Sequence, residues 1–209
     1  MEHTRRIHEF LEKKGISPNI ASFVGTGAVR MYVIGEDNVA PTPAQLDSMK
    51  LLIRQAMEEG ALGVTNALIY PVDFFAKTDE LIALSKEAAK YGGMYTSHMR
   101  SEGNKLLEAV EELITISKEA GIPAEIFHLK AGGKNNWSKM DSVIRTGGKS
   151  KKRRTGYYCR HVYLCCRSNR NDICISSDLA GWWLWKTERK INGSEDPERN
   201  GEGNEYGCY

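Results

Sequence analysis

Two histidines at matching places in consecutive segments are the residues of this sequence best suited to metal chemistry. His98 ends the stretch GGMYTSH, and His128 lies near the end of the stretch PAEIFH. Both stretches are short, apolar and typical of buried strands. Because the C-terminal ends of neighbouring parallel strands meet at one face of a barrel, two such imidazoles can converge on one ion. The alternative is that each ring is a polar group at a strand end that bonds only to the backbone.

The segments around these histidines alternate between strand and helix patterns from residue 1 to about 145. Strands are predicted at Asn19–Val24, Ala61–Ala67, Met94–His98 and Ala124–Leu129. Helices are predicted between them, one ending at Gly60, one from about Asp79 to Lys90 and one over 105–120. Repeated strand-helix units with short joins imply a parallel sheet with right-handed crossovers. The predicted fold class is therefore α/β.

Two helix starts carry capping signals. Thr42 is predicted to cap the helix that ends at Gly60, with Pro43 at the first helical position and Gln45 completing a capping box. Thr78 is predicted to cap the helix that begins near Asp79. Both caps place helices before the strands that end in the candidate metal ligands.

Composition narrows the class of protein. The chain has 209 residues, of which 41% are hydrophobic and 27% charged, as expected for a globular domain with a core. A net charge of +2 gives no reason to expect nucleic acid or an anionic membrane as a partner. The sequence has no long apolar run, and its start lacks the apolar centre of a secretory signal, so a cytoplasmic location is expected.

The composition changes abruptly after Arg145. All five cysteines and a cluster of three tryptophans lie beyond this point, and the end of the chain is rich in Gly, Asn and Glu. We therefore divide the chain into a folded part, 1–145, and an aberrant, disordered tail, 146–209. A shift of reading frame in the gene is one hypothesis for this boundary. The odd number of cysteines, without metal spacing, argues against a disulfide framework or a zinc finger.

Residues 17–145 resemble the N-acyl-D-amino-acid deacylases of the amidohydrolase superfamily, most specifically in SHMRSEG at 97–103 and FHLKAGGKNNW at 127–137. The resemblance implies a distorted eight-stranded TIM-type α/β barrel, of which this chain has a part. It also implies a zinc ion bound in part by His98 and His128. The implied activity is hydrolysis of the amide of small N-acyl-D-amino acids.

The resemblance assigns three further site residues. Lys130 matches a lysine that holds the substrate carboxylate and is expected on the same face of an extended strand as His128. Tyr70, in the segment LIYP, matches a tyrosine that lines the pocket. Arg100 either orders the site or meets the carboxylate. For all three, a solvated side chain at the barrel mouth is the alternative.

Several features of the family have no match in this sequence. A His-x-His strand, a metal-bridging residue and a strand-end aspartate are not found, and Asp172 and Asp178 lie in no matching context. The catalytic residues are therefore unassigned. We expect an incomplete, inactive enzyme with open strand edges and a tendency to aggregate.

Two local replacements also separate the chain from the family. Gly25-Thr26-Gly27 stands where relatives carry Gly-His-Gly, which weakens a polar role for that loop. Thr65-Asn66-Ala67 stands where some relatives carry a Ser/Thr-Gly pair, which bears on substrate preference.

Two alternatives from other functional classes stay open. One is a truncated, non-catalytic product that binds metal weakly. The other is a nucleic-acid binder that uses the basic run at 149–154, although short basic runs often occur without that function.

Overall fold

The structure is a computed structural model that describes residues 4–152 and 163–164. Its helices are α1 (Thr4–Lys14), α2 (Thr26–Val33), α3 (Pro43–Glu58), α4 (Thr78–Ala89), α5 (Leu106–Ala120) and α6 (Met140–Lys152). Its strands are β1 (Val24–Gly25), β2 (Gly63–Ala67), β3 (Met94–His98), β4 (Ala124–Ile126) and β5 (Tyr163–Leu164). Short 3-10 helices cover Asp73–Phe75 and Lys134–Lys139. The predicted α/β class is confirmed.

The five strands form one parallel sheet in the order β1-β2-β3-β4-β5. A helix follows β1, β2 and β3 and leads the chain back to the start of the next strand, as parallel pairing requires. Sequential strands are therefore neighbours, and their C-terminal ends lie along one edge of the sheet. This edge carries the candidate site.

The start of α3 agrees with its predicted capping box. Thr42 accepts a hydrogen bond from the backbone N–H of Gln45, whose side chain accepts one from the backbone N–H of Thr42. Pro43 takes the first helical position, where a missing N–H costs nothing. The predicted cap of α4 is wrong: Lys77 occupies the cap position, and the Thr78 hydroxyl donates to Glu112 of α5.

Strand prediction succeeded best in the middle of the sheet. Met94–His98 is the observed β3, and β2 lies within the predicted 61–67. The strand predicted at Asn19–Val24 is wrong for all but its last residue, because extended pairing with β2 begins only at Val24. The adjoining loop expected around Gly25 instead turns directly into α2.

The core lies between the sheet and its helices. Its largest fully buried apolar side chains include those of Met49, Ile53, Val64, Leu81, Leu84, Tyr95, Leu106, Ile116 and Ile126. Burying one such side chain contributes roughly 1.5–3 kcal/mol, so the helices fix the strands firmly in register. That register sets Ala67 of β2 directly beside His98 of β3.

One ion pair is buried inside this framework. Arg30 of α2 and Glu80 of α4 form a 2.5 Å salt bridge, with side chains only 1% and 4% exposed. Arg30 also donates to the carbonyl of Val39. The pair ties α2 to α4, because either charge alone would be costly at this depth.

The boundary predicted at residue 145 falls inside α6, which continues to Lys152. The short strand β5, at residues 163–164, pairs with β4 inside the predicted tail. The five cysteines, the tryptophan cluster, Asp172 and Asp178 lie outside the described residues. The division into two parts stays a prediction.

Among the helices described, none combines the length and apolar character that crossing a bilayer requires.

Candidate metal centre

His98 is presented by the end of β3. It is the last residue of that strand, and its side chain is 15% exposed. Side chains alternate along a strand, so His98 shares a face with Thr96 and lies opposite the face of Ser97. The hydroxyl of Thr96 donates to Thr65 of β2 on this face. The histidine is thus fixed by a packed strand.

His128 reaches the same place by a different route. Strand β4 ends at Ile126, and His128 has a positive φ of 38° in the turn that follows. The predicted strand Ala124–Leu129 was therefore too long, because the left-handed backbone at His128 ends the extended run. The placement on one face of an extended strand, expected for His128 and Lys130, is wrong for the same reason. The turn nevertheless brings the two histidine rings together, with centroids 4.4 Å apart and planes at 85°.

Glu102 joins these two histidines, although the sequence analysis did not assign it. Its Oε1 lies 3.2 Å from His98 Nε2 and 3.2 Å from His128 Nδ1. The side chain is only 14% exposed. The one signal in the sequence was its position four residues after His98, in SHMRSEG. A spacing of four residues does not predict contact between side chains in a loop. Here the loop before α5 brings Glu102 to the ends of the strands.

The three side chains fit a metal ion. Their nearest donor atoms all lie within 4.8 Å of one another. Zinc bonds of about 2.0–2.1 Å in a tetrahedron place neighbouring ligand atoms roughly 3.3 Å apart, close to the two distances from Glu102. His98 Nε2 is buried and makes no hydrogen bond, although Glu102 Oε1 is nearby. An unsatisfied buried ring nitrogen beside a carboxylate is the arrangement that a cation would complete.

Burial lowers the pKa of His98 below its ordinary value, and Glu102 opposes this shift while His128 and Lys130 add to it. The neutral imidazole is the form that binds a metal. The surroundings of His98 therefore favour the ligand form near neutral pH.

Lys130 lies against two of the three donor atoms. Its Nζ donates to Glu102 Oε1 over 2.5 Å and lies 2.9 Å from His128 Nδ1. About half of its side chain remains exposed. The ammonium of Lys130 therefore lies at the site. Its binding to a substrate carboxylate stays a prediction.

Tyr70 stands beside the site with its hydroxyl-bearing ring largely exposed. The ring meets His98 edge to face, with centroids 5.8 Å apart. Tyr70 is 59% exposed, so it can line a pocket at the edge of the sheet where the strands end. The predicted substrate contact stays a prediction.

Arg100 uses its guanidinium to join two segments beside the site. It donates to both carboxylate oxygens of Glu112 and to the carbonyls of Phe74 and Ala76. These bonds tie the loop between β2 and α4 to helix α5. A direct contact with substrate stays a prediction.

Asn66 lies on the face of the sheet opposite to His98. It donates to the Tyr95 hydroxyl and accepts from the Ser97 hydroxyl, and all three side chains are buried. The Asn66 side chain of the Thr65-Asn66-Ala67 segment therefore takes part in a hydrogen-bond network that links β2 and β3.

Asp73 forms a hydrogen bond with the last residue of β2, next to the site. It accepts the backbone N–H of Ala67, the residue paired with His98, and burial raises its pKa. A Cβ added at Gly27 would clash with the Asp73 carboxylate, so a larger residue here would have to displace it. Neighbouring Thr26 is buried at the start of α2.

Known proteins share both the sequence and the fold of this region. The D-aminoacylase of Alcaligenes xylosoxydans xylosoxydans is 31% identical over 142 residues, which are 66% of this chain and 29% of that relative. A crystal structure of a D-aminoacylase, described as defining a novel subset of amidohydrolases, matches with a TM-score of 0.67 at 28% identity. By sequence and by fold, this chain resembles the N-acyl-D-amino-acid deacylases. No family model matches it.

A second deacylase structure contains the metal suggested by the donor set. The N-acyl-D-glutamate deacylase from Bordetella bronchiseptica, complexed with zinc and a phosphonate inhibitor, matches with a TM-score of 0.69 at 26% identity. It covers 74% of this chain, and the match to the D-aminoacylase structure covers 70%. The predicted resemblance and the predicted partial amidohydrolase barrel are confirmed. The chain spans 29–32% of the length of these deacylases.

Proposed function

We propose that this site serves the metal-dependent hydrolysis of the amide bond in N-acyl-D-amino acids. The observation that carries the proposal is the convergence of His98, Glu102 and His128 beside the ammonium of Lys130. A metal site next to a cation suits a substrate with both an amide carbonyl and a carboxylate. The similarity to D-aminoacylase and to a zinc-containing deacylase supports this substrate class.

Zinc is the proposed cofactor. Two imidazoles and one carboxylate form a ligand set that zinc accepts, with a further position open to substrate or water. When bound, zinc polarises an amide carbonyl and activates water for attack on it. His98 and His128 hold their rings in place through β3 and the turn after β4, so the donor atoms need little movement.

The remaining residues would orient the substrate. Lys130 pairs with the carboxylate of the amino acid, since its exposed ammonium lies next to the metal ligands. Tyr70 covers one side of the acyl or side-chain pocket with its exposed ring. Arg100 supports the loop that carries Tyr70, through its bonds to the carbonyls of Phe74 and Ala76.

Ligand binding by the 209-residue chain tests this proposal. We expect the zinc-loaded chain to bind an N-acetyl-D-amino acid more tightly than its L enantiomer in isothermal titration calorimetry. The Lys130→Met variant should lose most of this binding, and Lys134→Met, which changes an exposed lysine nearby, should keep it. Equal affinity for both enantiomers would overturn the assignment of the substrate class.

A second candidate is a non-catalytic chain that binds metal. Among the residues that the structure describes, the donor group contains a single carboxylate, Glu102, which is already bonded to Lys130. No carboxylate in this group is therefore left to act as a general base. Zinc binding without release of the free amino acid from any N-acetyl-D-amino acid would favour this candidate, and zinc-dependent release would exclude it.

A further inference from the structure

We propose that Lys130 is a built-in counter-ion that holds the metal ligands in the metal-free chain and is displaced when the metal binds. This proposal rests on the proposed function and adds the order in which metal and substrate bind. The metal ion enters first, and the lysine that it displaces becomes free to bind the substrate carboxylate.

Lys130 contacts two of the three residues that would hold a metal. Its Nζ donates to Glu102 Oε1 and lies 2.9 Å from His128 Nδ1. Glu102 and His128 both belong to the donor group formed with His98. The single lone pair of His128 Nδ1 cannot meet the ammonium and a metal ion at the same time, so binding of this nitrogen by Lys130 and by metal exclude each other.

The facing atoms of Glu102 and His128 need a cation between them. Glu102 Oε1 and His128 Nδ1 lie 3.2 Å apart, and both act as acceptors toward the lysine. Two acceptors at this distance repel each other unless a positive group bridges them. Lys130 supplies that charge, which keeps Glu102 and His128 assembled before any metal arrives.

Lys130 satisfies the site only in part. His98 Nε2 is the one atom of the three that makes no hydrogen bond. A metal ion can accept all three lone pairs, whereas the ammonium has bonds to two of these side chains. The metal therefore has an advantage over the lysine at the site, and displacement is the expected result.

The freed lysine has somewhere to go. About half of its side chain is exposed, so the ammonium can move into solvent without losing buried contacts. After displacement it is an unpaired cation beside a metal centre, which is where the carboxylate of an acylated amino acid would be drawn. Loading of the metal would thus prepare the carboxylate site.

Zero-length crosslinking with a water-soluble carbodiimide tests the displacement directly. The reagent joins an amine to a carboxyl group only when the two are in contact. We expect a Lys130–Glu102 crosslink, read by mass spectrometry of peptides, in the full chain with chelator, and at least a tenfold loss of it when zinc is added. The Lys90–Glu87 pair, also at 2.5 Å with an exposed lysine and a buried carboxylate, is the internal control that zinc should not change.

The affinity for zinc supplies the second measurement. Removing the competing ammonium in Lys130→Met should tighten zinc binding about tenfold, the size of one charge-assisted contact. Lys134→Met removes an equal charge from an exposed residue and should leave the affinity unchanged. An equal gain in both variants would show that only net charge matters and would overturn displacement.

The two proposals fail in distinguishable ways. If the chain binds zinc through the histidines and the Lys130–Glu102 crosslink persists, displacement is wrong and the metal centre stands. If zinc does not bind at the histidines at all, the proposed function is wrong, whatever the crosslink shows.

Discussion

The rings of His98 and His128 stand almost perpendicular to each other, with their centroids 4.4 Å apart. One comes from the end of a strand and the other from a turn two residues beyond the next strand. Glu102 lies within 3.2 Å of a nitrogen of each ring, so three separate segments meet at one point.

Glu102 is predicted to be a metal ligand. The Glu102→Gln variant keeps the size of the side chain and removes its charge, so zinc should bind at least about tenfold more weakly, judging from what even outer-shell changes cost. A competition titration with a chromogenic chelator measures this. Glu108→Gln, an exposed position at the start of α5, is the matched control and should bind zinc as the wild type does. Equal affinity in the two variants would remove Glu102 from the ligand set.

The low pKa of His98 makes the stability of the metal-free chain depend on pH. Burial holds the folded-state pKa below the ordinary 6.5, so the unfolded chain takes up a proton first as pH falls. The stability contribution is fully present above about pH 6.5 and is lost as pH falls through the folded pKa.

Urea unfolding with chelator present, followed from about pH 7.5 down to about pH 5, checks this sign. The wild type should lose more free energy of unfolding over this range than His98→Gln, which has no imidazole to protonate. Other titrating groups cancel in the difference between the two proteins. Parallel curves would contradict the prediction.

Arg30 is predicted to be essential for stability. Arg30→Met leaves Glu80 buried without a partner, which should lower the free energy of unfolding by about 3–5 kcal/mol. Lys50→Met breaks the exposed Lys50–Asp47 pair and should cost less than about 1 kcal/mol. Urea denaturation compares them. A similar small loss in both variants would mean that the buried pair adds little to the packing of α2 on α4.

Arg100 is predicted to act on the structure of the site and not on the substrate. Lysine cannot reproduce the four hydrogen bonds of the guanidinium, so Arg100→Lys should lose about 1–3 kcal/mol of unfolding free energy. Arg145→Lys, at an exposed position, should change stability by less than about 0.5 kcal/mol. Unchanged stability in Arg100→Lys together with weaker binding of an N-acetyl-D-amino acid would instead support a substrate contact.

The parts of the fold that follow local rules could be predicted from the sequence. The capping box of Thr42 and Gln45 depends on residues three positions apart, and the strand Met94–His98 on a short buried run preceded by two glycines. Pairing of His98 and His128 also follows from strand order, because consecutive strands are neighbours in the sheet.

The parts that depend on long-range contacts could not be predicted. Glu102 joins the site because a loop folds back over the strand ends, and no periodic pattern in SHMRSEG marks that fold. The turn at His128 depends on a positive φ in a residue other than glycine, which sequence patterns rarely reveal. Thr78 had the residue type of a cap, but its hydroxyl is used by Glu112 on another helix.

Zinc titration of the 209-residue chain measures whether His98 and His128 bind one metal ion. Alkylating the cysteines beforehand prevents thiolates from competing for zinc. We predict one zinc ion per chain, lost in His98→Ala and in His128→Ala and kept in His8→Ala, because His8 lies on helix α1 and its ring meets Ser22. Zinc binding that survives both His98→Ala and His128→Ala, or that is lost in His8→Ala, would contradict the account.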